Sequence, residues 1–394
     1  MKRICHLLIC FLFIPLLFAT TALAQAQPSF DVDAPVAMLM VPKTGQILYA
    51  KEVDRQLPPA SIAKVMTMLL AMEAVEEGRV SLEDEVRVSA FAESMGGSQV
   101  WLVAGEVFTL EELMRAIAIP SANDAAVAVA EHVYGSVGAF VDAMNAKARA
   151  LGMNNTVFTN VTGLPPEDGQ QPTMTTARDI SIMARELLKY PKVLEWTSIP
   201  YAIFRENPLT ALWNTNKLIG SYEGADGLKT GYTREAGYCL VGTAQRNGLR
   251  LLSIVMQTES DLERQLQSAR LLDYGFRAFV PMTVVKKGEA LGTIAVENAA
   301  REQVPVVAQQ ELEVLVLSGR QGEVVTELVP NTELSAPIAK GDVLGTYRAV
   351  LDGEVVSEVP AVAEEDIAVA SWFVRLWRWV RDLILGLVAS LRDR

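Results

Sequence analysis

Residues 58–75 read PPASIAKVMTMLLAMEAV, a stretch apolar on nearly every side of a helix that carries one serine and one lysine near its start. A helix apolar all round belongs in an interior, and a lysine there is costly unless it is paired or gives up its proton. Two readings follow. In the plain one, Ser61 caps the helix and Lys64 lies on an exposed first turn. In the other, Ser61 and Lys64 share one helix face, three residues apart and within side-chain reach. The apolar wall then lowers the lysine pKa until it can take the serine proton, and the helix N-terminus favours negative charge on Ser61. The rest of the chain decides between them.

The chain has 394 residues, half of them hydrophobic, enough for one large domain or two ordinary ones with packed cores. Its beginning, MKRICHLLICFLFIPLLFATTALAQA, combines Lys2 and Arg3, an apolar run to Phe18 and the small-residue pattern Ala22-Leu23-Ala24. Residues 1–24 are therefore expected to be a secretory signal peptide. A membrane anchor is the rival, but the apolar run is short and no basic stop follows it. The expected location is beyond the cytoplasmic membrane, in a periplasm or on the outer face of the cell membrane. Loss of Lys2 and Arg3 takes the formal charge from −12 to −14, an acidic balance that argues against nucleic acid as a partner. Cys5, Cys10 and His6 leave with the same segment, so Cys239 has no disulfide partner and His132 is the one remaining histidine.

Residues 30–55 alternate as two short strands around Lys43-Thr44-Gly45, a hairpin. The segment 106–150 has apolar residues at three- and four-residue spacing, and TTARDISIMARELLKYP is a further helix with Thr175 or Thr176 as its cap and Pro191 closing it. GYCLVGTAQRNGLRLLSIVMQT alternates around Asn247-Gly248, and SDLERQLQSARLLDYGF is an amphipathic helix capped by Ser260 or Asp261. Helices bracketed by strands from both ends of a segment imply an α+β domain with a mostly antiparallel sheet, expected over residues 29–280. From 281 to 362 the pattern changes to short β runs broken by Gly and Pro, expected to form a small β-sandwich. The tail, 366–394, places Arg375, Arg378 and Arg381 at three-residue spacing, with Trp372, Trp377 and Trp379 nearby. Arginines at the centre of a spanning helix cost roughly 2.5–3.5 kcal/mol each, so an amphipathic helix lying in a membrane surface is expected, its arginines facing anionic lipid. The plain alternative packs it on the protein.

The chemistry is reached first by elimination. His132 sits within the helical run AVAEHVYG, where a structural histidine is the ordinary case. No His/Cys/Asp cluster has metal-ligand spacing, and GADGLKTG has Leu228 where a P-loop needs glycine, so neither metal nor cofactor is expected. A serine nucleophile is left with a lysine base. Two more motifs accompany Ser61 and Lys64: Ser121-Ala122-Asn123 and Lys229-Thr230-Gly231. Alone, the first is an ordinary helix cap and the second a turn. Lys43-Thr44-Gly45 repeats the second with the same letters. Order separates the copies, because only the later Lys-Thr-Gly follows both Ser-x-x-Lys and Ser-x-Asn. Placed around one cleft, Ser121 relays a proton, Asn123 bonds the substrate backbone, and Lys229 with Thr230 holds an anionic group.

This ordered triple is the set found in penicillin-binding proteins and serine β-lactamases. With PSANDAAVAVAEHVYGS, LGMNNTVFTNVTGL, TTARDI, NTNKLIGSYEGADGLKTGYTREAGYCLVGTA and the terminal amphipathic helix, residues 33–390 resemble the low-molecular-mass penicillin-binding proteins that are D-alanyl-D-alanine carboxypeptidases. The resemblance implies a penicillin-binding/β-lactamase-like domain, a small β domain and a membrane anchor. It implies removal of the terminal D-alanine from peptidoglycan stem peptides through a Ser61 acyl-enzyme, with β-lactams as inhibitors. Gly231 and Tyr232 then belong to the substrate-binding strand, and the backbone N–H groups of Ser61 and Tyr232 form the oxyanion hole. Ala122 stands where the family often has glycine, and ENPLTALWNTNK offers no match for the carboxylate-binding arginine of some relatives. A β-lactamase, with Glu167 as the tempting deacylating residue, an endopeptidase and a non-catalytic wall-binding protein are the alternatives.

Overall fold

The computed structural model describes residues 30–166 and 171–392; the expected signal peptide and Glu167 lie outside them. In chain order the larger part contains β1 (Val36–Met40), β2 (Ile47–Lys51), a 3-10 turn (Ala60–Ala63), α1 (Lys64–Glu76), β3 (Glu85–Arg87), α2 (Ala90–Glu93), β4 (Val107–Thr109) and α3 (Leu110–Ala118). There follow α4 (Asn123–Tyr134), α5 (Val137–Ala150), α6 (Ala177–Leu187), α7 (Pro191–Thr197), β5 (Tyr201–Glu206), β6 (Leu209–Trp213), β7 (Ala225–Thr233), β8 (Gly237–Arg246), β9 (Leu249–Thr258) and α8 (Asp261–Ala278).

The two expected hairpins join into one antiparallel sheet of order β2-β1-β9-β8-β7. The middles of β1, β8 and β9 are buried, with α8 packed against all three strands and α6 against β1 and β9, so these strands read as apolar runs. α1 packs against α3, α4, α5 and α6, which is why its apolar residues run all round. Neither Ser61 nor any other side chain caps this segment: the 3-10 turn and α1 both start without a side-chain cap. Thr176 caps α6, while Thr175 bonds Thr156, and Pro191 opens α7 where its missing N–H costs nothing. Two further antiparallel ribbons, β3–β4 and β5–β6, lie outside this sheet.

The second part holds β10 (Phe279–Val285), β11 (Ala290–Ala295), β12 (Gln303–Ala308), β13 (Leu312–Leu317), a 3-10 turn (Gln321–Glu323), β14 (Val325–Pro330), β15 (Val343–Leu351), β16 (Glu354–Ala363) and α9 (Trp372–Arg392). A five-stranded sheet, order β11-β12-β16-β15-β14, faces the β10–β13 pair across a core containing Val285, Val314, Val316, Ala349 and Val359. This is the expected sandwich. β10 starts directly after α8, ahead of the change of character expected at 281.

The tail departs from expectation. Residues 366–370 pair with the β domain through Ile338↔Ile367 and Ala299↔Val369, so α9 begins at Trp372. Arg378 donates to Ala299 O at 2.7 Å and Ala300 O at 3.1 Å and meets Glu302 at 3.0 Å, as Arg381 does at 2.9 Å. Two arginines expected to face lipid therefore hold the helix to the domain, their charge answered by Glu302. Trp372, Phe373, Trp377 and Trp379 stay exposed. Among the described residues, no helix is long and apolar enough to cross a membrane.

The Lys43-Thr44-Gly45 turn lies at the junction of the two parts, lining a cleft of about 1680 Å³. Beside it, buried Gln46 donates from Nε2 to Leu315 O at 2.5 Å and accepts from Leu315 N at 2.8 Å. A side-chain amide thus extends the outer edge of β13, and the duplicate of the motif has a structural position.

Candidate active site

Lys64 is wholly buried. Its Nζ lies 3.1 Å from Ser61 Oγ and donates to Asn123 Oδ1 at 2.5 Å and to Thr162 O at 3.0 Å. Burial lowers its pKa from 10.5 to about 7, against a smaller opposing pull from the Asp124 charge. A neutral amine has two N–H bonds and one lone pair. With Asn123 and Thr162 taking the donors, the lone pair is left for the Ser61 hydroxyl proton. Ser61 itself sits in the 3-10 turn ahead of α1 and is partly exposed, reachable from outside while its base is not.

The second motif is built on strain and on buried carboxylate bonds. Ser121 has φ +71°, a left-handed conformation that a non-glycine residue holds only when its surroundings impose it. Its Oγ is buried and has no hydrogen-bond partner among the described residues. Asn123 accepts from Lys64 through its oxygen and donates from its nitrogen to Gly96 O at 2.6 Å, so its amide holds the base in place. Asp124, also buried, accepts from the backbone N–H groups of Val100 and Leu102 at 3.1 Å each, tying the 96–102 loop to the start of α4.

Lys229, Thr230 and Gly231 lie on β7, an edge strand of the sheet packed beside the Ala60–Ala63 turn. A Cβ on Gly231 would stand 2.7 Å from Pro59 O, so glycine lets the third motif close on the first. Thr230 Oγ1 donates to Thr215 Oγ1 at 2.6 Å. Lys229 is buried, and burial, then the charges of Lys64 and Arg264, push its pKa well below the usual lysine value. Tyr232 is exposed, its ring stacked on Tyr238. All three motifs thus meet. His132 does not join them; its Nε2 pairs with Asp84 at 3.1 Å.

Sequence reasoning passed over several participants. Arg264 of α8 donates to Gly231 O at 3.0 Å and is held by Asp261, bringing a guanidinium beneath the Lys-Thr-Gly strand. Nothing local marks it, since it is one arginine among several on an amphipathic helix. Thr215 and Thr162 fall within NTNK and NVTGL, where the clustered Asn and Thr residues were the available signal. Asn160 Oδ1 accepts from Thr162 N and Gly163 N, shaping the loop that presents Thr162 O to Lys64. Gly163 has φ +75°, and a Cβ there would lie 1.8 Å from Ala60 O. Gly163→Ala is expected to cost on the order of 3 kcal/mol and to slow penicillin acylation by displacing the 59–62 turn. Denaturant midpoints and acylation rates near wild type would show instead that the turn yields freely.

The chain was compared with known proteins. The D-alanyl-D-alanine carboxypeptidase family matches residues 21–260, and the C-terminal domain of penicillin-binding protein 5 matches residues 279–369. The D-alanyl-D-alanine carboxypeptidase DacF of Bacillus subtilis is 39% identical over 353 residues, covering 89% of this chain and 90% of its own length. DacC of Escherichia coli is 33% identical over 384 residues, covering 94% and 92%. Penicillin-binding protein 5 of Haemophilus influenzae superposes with a TM-score of 0.76 at 29% identity, over 87% of this chain and 99% of that one. Penicillin-binding protein D2 of Listeria monocytogenes, solved in an ampicillin-bound form, superposes at 0.55 with 32% identity, over 64% and 100%. The likeness extends through both parts of the molecule. The chain belongs to the D-alanyl-D-alanine carboxypeptidase family of serine peptidases.

Proposed function

We propose that Ser61 attacks the carbonyl between the two terminal D-alanines of a peptidoglycan stem peptide while neutral Lys64 accepts its proton. The observation that carries this is the wholly buried Lys64 amine, 3.1 Å from Ser61 Oγ and shifted to a pKa of about 7. The N–H groups of Ser61 and Tyr232 stabilise the oxyanion. The Ser121 hydroxyl, which has no partner among the described residues, relays the proton taken by Lys64 to the departing D-alanine amine, leaving Lys64 neutral again. Water activated by Lys64 then releases the acyl-enzyme. Asn123 positions Lys64. Lys229, Thr230 and Arg264 receive the terminal carboxylate: burial and the Arg264 charge make a protonated Lys229 costly, and an arriving anion relieves that cost. β-Lactams acylate the same serine.

Release of D-alanine from a synthetic pentapeptide, followed by mass spectrometry, is the direct test. Turnover of penicillin without D-alanine release would make the protein a β-lactamase, and neither reaction would leave a wall-binding protein. Digestion of cross-linked peptidoglycan separates carboxypeptidase from endopeptidase products.

We infer also that residues 1–24 direct export and are removed, and that the 29–280 unit acts in a periplasm or on the outer face of the cell membrane. The exposed tryptophans of the 366–394 tail insert at the membrane interface, with Arg378 and Arg381 fixing the angle of the helix on the 281–362 domain. Equal vesicle cosedimentation of the wild type and a Trp372, Trp377 and Trp379 to Ala variant would count against this anchor. Recovery of the exported protein with residues 1–24 attached would refute removal.

A further inference from the structure

Trp101 combines two features that rarely coincide. It has φ +58°, a left-handed backbone unusual for a bulky residue, and its side chain is 66% exposed. A tryptophan held this way gains nothing from core burial, so the strain is borne for something outside the core. The segment that holds it is fixed on three sides. Val100 and Leu102 are buried, and their N–H groups bind Asp124, the neighbour of the residue that positions Lys64. Arg205 of β5 donates to Val100 O at 3.2 Å and Trp101 O at 2.5 Å, and its charge is answered by Glu106 at 2.8 Å.

Arg205 thereby joins the Trp101 loop to the β5–β6 ribbon, which carries a second exposed aromatic group. Trp213, 64% exposed, lies against Tyr201 with ring centroids 4.5 Å apart. Two residues further on, Thr215 accepts the hydrogen bond of Thr230. Each exposed tryptophan thus stands on a segment that ends in the candidate active site, one beside Asn123-Asp124 and the other beside Thr215. The cation linking these segments is already paired.

We propose that Trp101 and the Tyr201–Trp213 pair form an aromatic rim that stacks on an uncharged sugar ring of the glycan strand bearing the stem peptide. The choice of occupant follows from charge. A stem peptide carries carboxylates and amines that call for ionic partners, whereas an N-acetylated pyranose is neutral and offers C–H faces to an aromatic surface. This inference rests on the peptidase reading above and adds a part of the substrate remote from the bond that is cut.

The test compares D-alanine release from a free pentapeptide and from the same pentapeptide attached to its N-acetylated disaccharide. The wild type is expected to favour the disaccharide substrate about tenfold in kcat/KM, chiefly through KM. Trp101→Ala and Trp213→Ala are each expected to remove most of that preference, with free-pentapeptide turnover and penicillin acylation unchanged within about twofold. Equal kcat/KM for the two substrates in the wild type would overturn the rim, as would a preference that survives both substitutions. A parallel fall on both substrates would show a purely structural role and overturn it too. Absence of D-alanine release from either substrate would instead strike the peptidase reading, so the two failures are distinguishable.

Discussion

Ser61→Ala is expected to abolish labelling by a fluorescent penicillin and to stop D-alanine release altogether. The substitution removes the only group in this reading that forms a covalent bond to substrate, so no slower route to an acyl-enzyme is left. Its cost in stability is small. Ser61 is partly exposed, and Lys64 keeps its bonds to Asn123 and Thr162 when the Ser61 oxygen is gone. One lost hydrogen bond of this kind is worth about 1 kcal/mol, a shift of about 2–4 °C in melting temperature for a domain this size. The folded but unlabelled protein is therefore the expected product. Persistent labelling would move the nucleophile elsewhere, and the orphaned Ser121 would be the next residue to examine.

Lys64→Met is expected to lower penicillin acylation by about 10²–10⁴-fold, the usual range for removing a general base. Methionine fills the space but takes no proton, and it leaves Asn123 Oδ1 and Thr162 O without their donor. In the wild type the pH profile reports the same group. The active form of Lys64 is the neutral one, so the acylation rate should rise with pH through about 7 and level off above it. Stability carries the same signature. The folded value of about 7 lies below the unfolded 10.5, so between these values the unfolded chain binds the extra proton and stability increases with pH. The buried Lys229, shifted in the same direction, adds to that slope. An acylation rate constant across pH 6 to 8, with Lys64→Met near wild type, would remove Lys64 as the base.

Much of the fold was legible because its main elements carry local signals. The β1–β2 and β8–β9 hairpins are apolar runs joined by turn residues, Ser260 and Thr176 cap their helices, and the β domain announces itself by composition. The strand order of that domain was not legible: β12, Gln303–Ala308, owes its place between β11 and β16 to partners far along the chain. The tail was legible as amphipathic. Its arginines were misread, because a pairing with Glu302, about 80 residues away, leaves no mark in helical spacing.

The sequence by itself narrowed the chemistry: once the expected signal peptide is set aside one histidine remains, and three motifs in order with a serine and a lysine on an apolar helix point to a Ser–Lys pair. It could not decide between a cap with a surface lysine and a nucleophile with its base, since both fit PPASIAKVMTMLLAMEAV. Tertiary packing removed the cap and the surface lysine from consideration. Helices α3 to α6 close around α1, taking Lys64 out of water, and Asn123 and Thr162, 59 and 98 residues away, aim it at Ser61. Desolvation and convergent hydrogen bonds belong to no single segment, and so they appear only once the chain has folded.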